Sequence, residues 1–190
     1  MKHITDKEFK RYGKLRPVHD FIGAIRFVES VPIPKEGLYR VESDPVHLES
    51  LKAYREMSKE YFAGLPLYIG YSVGNNTSTF PMRYHKSSTI FVAVSEITMG
   101  FCSQEEKDDI IQQIEWFSLP ARTIIEVFGS VVCSSPIGMD GEPVRLIEAY
   151  AGVRDSKVDT TFEWECDAEV QFLASMNTWT IECNGQEGEG

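Results

Sequence analysis

The segment Met82-Arg83-Tyr84-His85 places a fixed cation and a proton carrier two residues apart. On a β-strand that spacing sends both side chains to one face. Facing inward, Arg83 and His85 would meet a ligand. Facing outward, they are an ordinary polar face with a hydrogen-bonded histidine. Glu126 stands in the otherwise apolar run Thr123-Ile124-Ile125-Glu126-Val127-Phe128. A carboxylate there has to be exposed, paired or metal-bound, because an isolated buried charge is very costly. Its orientation stays open, since a one-residue slip in register reverses it. Cys133, in Cys133-Ser134-Ser135-Pro136, offers a thiol as a metal ligand or nucleophile, or as a small buried hydrophobe. His85 is the one histidine in the β-rich part that would serve such a nucleophile as base. Gly70-Tyr71-Ser72-Val73-Gly74-Asn75-Asn76-Thr77 lacks the ending of a phosphate loop and the dinucleotide pattern. It reads as a wide turn, with Asn75 and Asn76 as candidate contacts to a polar ligand and Tyr71 as a further pocket candidate.

These residues need strands to position them. From residue 67 the texture is Val-, Ile-, Thr- and aromatic-rich, with runs at 67–71, 79–84, 88–101, 114–119, 123–132, 144–153, 161–164, 170–174 and 178–182. Turn residues separate them, and the charged insert 103–113 reads as a loop or one short helix. So many short strands favour an antiparallel sandwich or barrel over a parallel α/β sheet. Ahead of them, Asp44 and Pro45 suit the start of a helix that runs to Phe62 and closes at Gly64 and Pro66. A shorter helix is expected over 18–29, and 31–37 reads as an extended connector. The expected division is an N-terminal arm and helix over 1–66, a β-barrel over 67–183 and a frayed tail over 184–190, in one domain overall.

The chain has 190 residues, 42% hydrophobic and 25% charged, which suits one ordinary globular core. No apolar run approaches the roughly 20 residues that span a bilayer, and the N-terminus carries no secretory pattern. A cytoplasmic protein without a membrane partner is expected. The net charge of -10 disfavours nucleic acid. Residues 1–20 nevertheless hold Lys2, Lys7, Lys10, Arg11, Lys14 and Arg16, a basic arm expected to pack against the acidic stretch from Glu142 onward or stay solvated. Cys102, Cys133, Cys166 and Cys183 form no close pair, so a structural zinc site and disulfides are not expected.

Several segments together carry a family likeness: Lys7-Glu8-Phe9-Lys10-Arg11-Tyr12-Gly13, Gly64-Leu65-Pro66-Leu67-Tyr68-Ile69-Gly70-Tyr71, Gly74-Asn75-Asn76-Thr77, Tyr84-His85-Lys86-Ser87-Ser88 with Val92-Ala93-Val94, and Leu119-Pro120-Ala121 with Thr123 to Glu126. Over nearly its whole length the chain resembles a bacterial cupin-fold family of unknown function, and more distantly ureidoglycolate lyase. The resemblance implies a mainly β, cupin-like jelly-roll barrel with an N-terminal helical arm, often a homodimer, and a metal or ligand pocket inside the barrel. It also implies an acid at the position of Arg83, histidine at His85, an acid at Thr89, histidine at Cys133 and glycine at Arg122. Of that ligand pattern His85 alone is present.

His85, Glu126 and a thiol fall short of the ligand set a catalytic divalent metal needs, and a fixed cation repels one. No cofactor is therefore expected, with a divalent metal as the alternative. Arg83 is expected to supply the positive charge a metal would, neutralising Glu126 or gripping an anionic ligand. The function expected is binding of a small polar or anionic metabolite, a sugar acid or sugar phosphate. The alternative is a metal-dependent isomerase or lyase of a small hydroxy-carbonyl or sugar substrate, in which a metal polarises the carbonyl or His85 and Glu126 move a proton. A third possibility is a dimeric scaffold whose barrel is filled by Phe80, Met82, Phe91 and Phe128.

Overall fold

The structure, a computed structural model, describes residues 1–17, 21–103, 110–151 and 178–181. The runs expected at 161–164 and 170–174, Cys166, Cys183 and the tail 184–190 lie outside them. Within the described residues the chain forms β1 (Lys2–His3), β2 (Gly13–Arg16), α1 (Ile22–Ser30), β3 (Gly37–Val41), α2 (Lys52–Tyr61), β4 (Leu67–Asn75), β5 (Met82–His85), β6 (Thr89–Ala93) and β7 (Ile97–Ser103). There follow α3 (Ile110–Gln113), β8 (Glu115–Leu119), β9 (Ile124–Val127), β10 (Val131–Cys133), β11 (Ile137–Gly138), β12 (Val144–Ala151) and β13 (Thr178–Ile181).

Two sheets result. One has the order β2-β9-β6-β12-β4-β3, and the other β1-β8-β7-β10-β5-β13 with β11 beside β7. Counting the strands β4 to β10 and β12 as one to eight, the first sheet contains 1-8-3-6 and the second 2-7-4-5. That alternation between sheets is the double Greek key of a jelly roll. The fold is mainly β and cupin-like, as the resemblance implies. Among the described residues the two sheets form a face-to-face sandwich and do not close into a barrel.

Side-chain alternation separates two apolar layers. Ile69, Val73, Ile90, Val92, Ile124, Ile147 and Ala149 face outward from the first sheet and bury Ala24, Ile25 and Val28 of α1 with Ala53 and Met57 of α2. Phe91, Ala93, Ile125, Val127, Val144 and Leu146 face inward and meet Met99, Phe101, Phe117, Leu119 and Cys133 across the sandwich. Phe9 and Tyr12 add edge-on and stacked rings to Phe101 and Phe117 at 5.5 to 6.1 Å.

Several local expectations change. The helix expected from Asp44 divides: Asp44 Oδ1 accepts the backbone N–H of Val46 and His47 and caps a turn, while extended Leu51 delays α2 to Lys52. The run 88–101 breaks at Val94-Ser95, and 123–132 breaks at Phe128-Gly129-Ser130, because each crosses from one sheet to the other. The basic arm is built into the fold, with β1 and β2 on opposite sheets. Lys2 and Arg11 pair with Glu115, and Lys14 and Arg16 with Glu126. Arg122, at the position where the resemblance implies glycine, has φ 64°, a conformation glycine adopts without steric cost. No helix among the described residues is long and apolar enough to cross a membrane.

Gly70 lets β3 approach β4 closely. A Cβ there would lie 1.9 Å from the Val41 carbonyl oxygen and 2.7 Å from the Glu42 backbone. Gly70→Ala therefore forces the end of β3 away and is expected to destabilise the fold by about 1–3 kcal/mol, measured by urea unfolding. A variant as stable as wild type would show that this approach is not tight.

Candidate functional site

Strand alternation assembles the site. On β5, Met82 and Tyr84 face the small outer cluster with Cys102 and Val132, so Arg83 and His85 face the sandwich interior. On β12, Leu146, Glu148 and Tyr150 share the inward face. On the edge strand β3, Arg40 is level with Ser72, and Glu42 follows the strand. The apolar interior thus ends in a polar cluster to which both sheets contribute.

Glu148 is its centre. Its carboxylate is buried, yet His85 Nε2 lies 3.2 Å from Oε1 and Arg40 donates to Oε2. Burial alone would raise its pKa, but the Arg40 guanidinium and the His85 hydrogen bond win and bring it down to about 2. The His85 ring stacks on Tyr150, with centroids 4.3 Å apart. Glu42 forms the outer anion. It accepts from Arg83 at 2.8 Å, from Arg40 Nε at 3.1 Å and from the Tyr150 hydroxyl at 3.0 Å. Desolvation pushes the Glu42 carboxyl up, and Arg40 and Arg83 more than offset it, so its pKa is lowered. The Tyr150 phenol is driven up by burial and by Glu42 and Glu148.

Beside this cluster lies a small cavity of about 20 Å³, lined by Arg40, Arg83, Cys133, Ser134, Ser135 and Glu148, with apolar walls including Phe91, Met99 and Leu146. It is room for roughly one water-sized group. Ser134 Oγ accepts from the Gly100 N–H and donates to the Ser135 carbonyl, and Ser135 Oγ donates to the Pro81 carbonyl. These hydroxyls hold the strand junction, leaving the two guanidiniums and the Glu148 carboxylate as the strong polar groups of the lining.

The sequence candidates divide accordingly. Arg83 and Cys133 are register partners on β5 and β10 and both line the cavity, while His85 reaches it through Glu148. Asn76 sits at the rim, where Nδ2 donates to the carbonyl of the cavity residue Pro136 at 2.6 Å. Glu126 and Tyr71 lie on the opposite, helix-facing side of the first sheet. Glu126 is level with Ile90 and is held by Arg16 and Lys14. Tyr71 packs edge-on against Phe27 at 5.6 Å. Register, which the sequence left open, places both away from Arg83, so the carboxylate Arg83 neutralises is Glu42 and not Glu126. Phe91 lines the cavity, whereas Met82, Phe80 and Phe128 do not. Glu148, Glu42 and Arg40 escaped the sequence reading. Glu148 carried the same signal as Glu126, a lone carboxylate in an apolar strand.

The cluster does not suit a divalent cation. Arg40 and Arg83 occupy the carboxylates, and their fixed charges repel a metal. Burial holds the Cys133 thiol well above its ordinary pKa, with Glu148 adding to the effect. Among the described residues no group of three or more His, Cys, Asp or Glu side chains is placed to hold a metal ion.

A family model described as a domain of unknown function (DUF4867) matches residues 1–189. No curated protein matches the chain in sequence. Among solved structures, a single-residue mutant of Bacillus subtilis oxalate decarboxylase is 13% identical with a TM-score of 0.41, covering 68% of this chain and 29% of that one. The vicilin from Solanum melongena is 10% identical with a TM-score of 0.45, covering 85% of this chain and 35% of that one. Peruvianin-I, a cysteine peptidase from Thevetia peruviana latex, is 13% identical with a TM-score of 0.41, covering 62% of this chain and 63% of that one. The chain thus spans less than half of the decarboxylase's length. Likenesses this distant carry nothing about activity, and they do not single out ureidoglycolate lyase.

Glu148→Gln leaves Arg40 and His85 facing a neutral amide in a buried site. The expected loss of stability at pH 7 is about 3–5 kcal/mol. Because the folded-state pKa of Glu148 lies below its unfolded value, its contribution is present above about pH 4.5 and lost as pH falls toward about 2. The gap between wild type and variant should therefore narrow over that range in urea unfolding. A constant gap would show that the Glu148 charge is not what stabilises the cluster.

Proposed function

The chain belongs to the DUF4867 family of domains of unknown function, and from that premise we propose that it is a small-anion-binding protein built on a degenerate cupin-type metal site, with a sugar acid or sugar phosphate as its ligand. The observation that carries this reading is the placement of Arg83. Its guanidinium lines the cavity, and among the described residues its ion-pair partner is Glu42, a side chain 55% exposed. A carboxylate or phosphate replacing Glu42 would gain the same charge-assisted contact.

The remainder of the lining suits a hydroxylated carbon chain. Glu148 accepts one hydrogen bond at each oxygen and keeps lone pairs for a ligand hydroxyl. Phe91, Met99, Leu146, Pro81 and Pro136 supply apolar surface for the carbon skeleton. His85 and Tyr150 act as positioning residues, since the one hydrogen-bonds Glu148 and the other holds Glu42. Arg83 supplies the positive charge that a metal supplies in cupins with a complete ligand set.

Thermal-shift screening followed by calorimetry against D-gluconate and glucose 6-phosphate tests this. Wild type is expected to bind one ligand class, and Arg83→Ala to lose at least tenfold in affinity, about 1.4 kcal/mol, with little change in unfolding midpoint. Equal binding by Arg83→Ala would remove Arg83 from the site.

A further inference from the structure

We propose that Glu42 is a tethered competitor for the anion site: its carboxylate occupies Arg83 in the free protein, and the ligand must displace it to bind. This rests on the anion-binding reading above. Three observations carry it.

The first is position. Arg83 lines the cavity, and Glu42, which is not among its lining residues, accepts from the Arg83 guanidinium at 2.8 Å, so an anion entering the cavity meets an Arg83 whose charge is already engaged.

The second is exposure and tethering. Glu148 is 7% exposed and fixed from two sides within the β12 register. Glu42, by contrast, lies just past the end of edge strand β3, and its side chain is half exposed. It is the one of the two carboxylates that can swing into water without stranding a buried charge. Arg40 stays paired with Glu148 when it does.

The third is chemical mimicry. Glu42 already presents to the site what an anionic ligand would. One oxygen faces Arg83 and Arg40, and the other accepts the Tyr150 hydroxyl. A ligand carboxylate or phosphate taking that place inherits all three donors. Glu42 thereby sets two properties. It lowers apparent affinity by the fraction of time it holds Arg83, and it rejects neutral polyols, which cannot displace a carboxylate from a guanidinium.

Calorimetry with D-gluconate and with neutral D-sorbitol, at fixed ionic strength, compares wild type, Glu42→Gln and Glu42→Gln/Arg83→Ala. Removing the competing charge is expected to tighten gluconate binding roughly tenfold, as it would if Glu42 holds Arg83 about nine-tenths of the time, and the double variant should lose that gain. Gluconate binding that depends on Arg83 but is unchanged or weaker in Glu42→Gln overturns the competitor role and leaves the anion-site reading standing. A second readout needs no ligand. Phenylglyoxal modification of Arg83, followed by peptide mass spectrometry, should be faster in Glu42→Gln than in wild type, and an equal rate overturns the proposal. Gluconate that binds neither protein, despite faster Arg83 modification, overturns the anion-site reading and this inference with it.

Discussion

A carboxylate held between two β-sheets, away from water, has to be paired or it would unfold the site. In this chain that constraint falls on Glu148, and the surroundings follow from it. Arg40 from the edge strand and His85 from the opposite sheet satisfy its two oxygens. Arg40 requires β3 close to β4, which Gly70 permits by having no side chain at the crossing. His85 must face inward, which sends Arg83 inward two residues earlier. Arg83 then needs its own anion and finds Glu42. The chain of pairings is a sequence of necessities that starts from one buried charge.

The same cluster ties the sheets where their apolar contact stops. Inside the sandwich, Phe91, Phe101, Phe117 and Leu146 join the sheets by burial alone, a non-directional force that fixes no single geometry. At the other end the contacts are directional, from His85 to Glu148 and from Arg83 to Glu42, each joining the second sheet to the first or to the residue just after β3. The buried His85–Glu148 pair contributes little net stability compared with well-packed apolar groups, but removing one partner is expensive, whereas the half-exposed Arg83–Glu42 pair is worth little to stability either way.

Much of the fold was legible in the sequence because jelly-roll strands follow local rules of β-branched runs, alternation and turn residues. That Arg83 and His85 share a face followed from spacing; that the face is the interior one did not, and it follows from Met82 and Tyr84 packing on the outer side. Cys133 joined them because β10 lies beside β5, a long-range fact that only the family likeness suggested. Glu126 and Glu148 looked identical in one dimension, each a carboxylate among apolar neighbours. Strand register sends one to Arg16 on the helix side and the other to Arg40 inside the sandwich. Tyr71 was misplaced for the same reason. The edge strand β3 escaped notice because Val31-Pro32-Ile33-Pro34 ahead of it reads as connector, and so Arg40 and Glu42 did too.

The central claim is that guanidinium charge stands where a cupin with a complete ligand set would hold a metal. Elemental analysis by mass spectrometry of untagged protein, purified without chelator, tests it most directly. The account predicts transition metal far below one equivalent per chain, and no gain when manganese, iron, nickel or zinc is added back and the protein desalted. A near-stoichiometric transition metal bound near His85, Glu148 and Cys133 would contradict it, because that metal would have to displace Arg40 and Arg83 from the carboxylates they now hold.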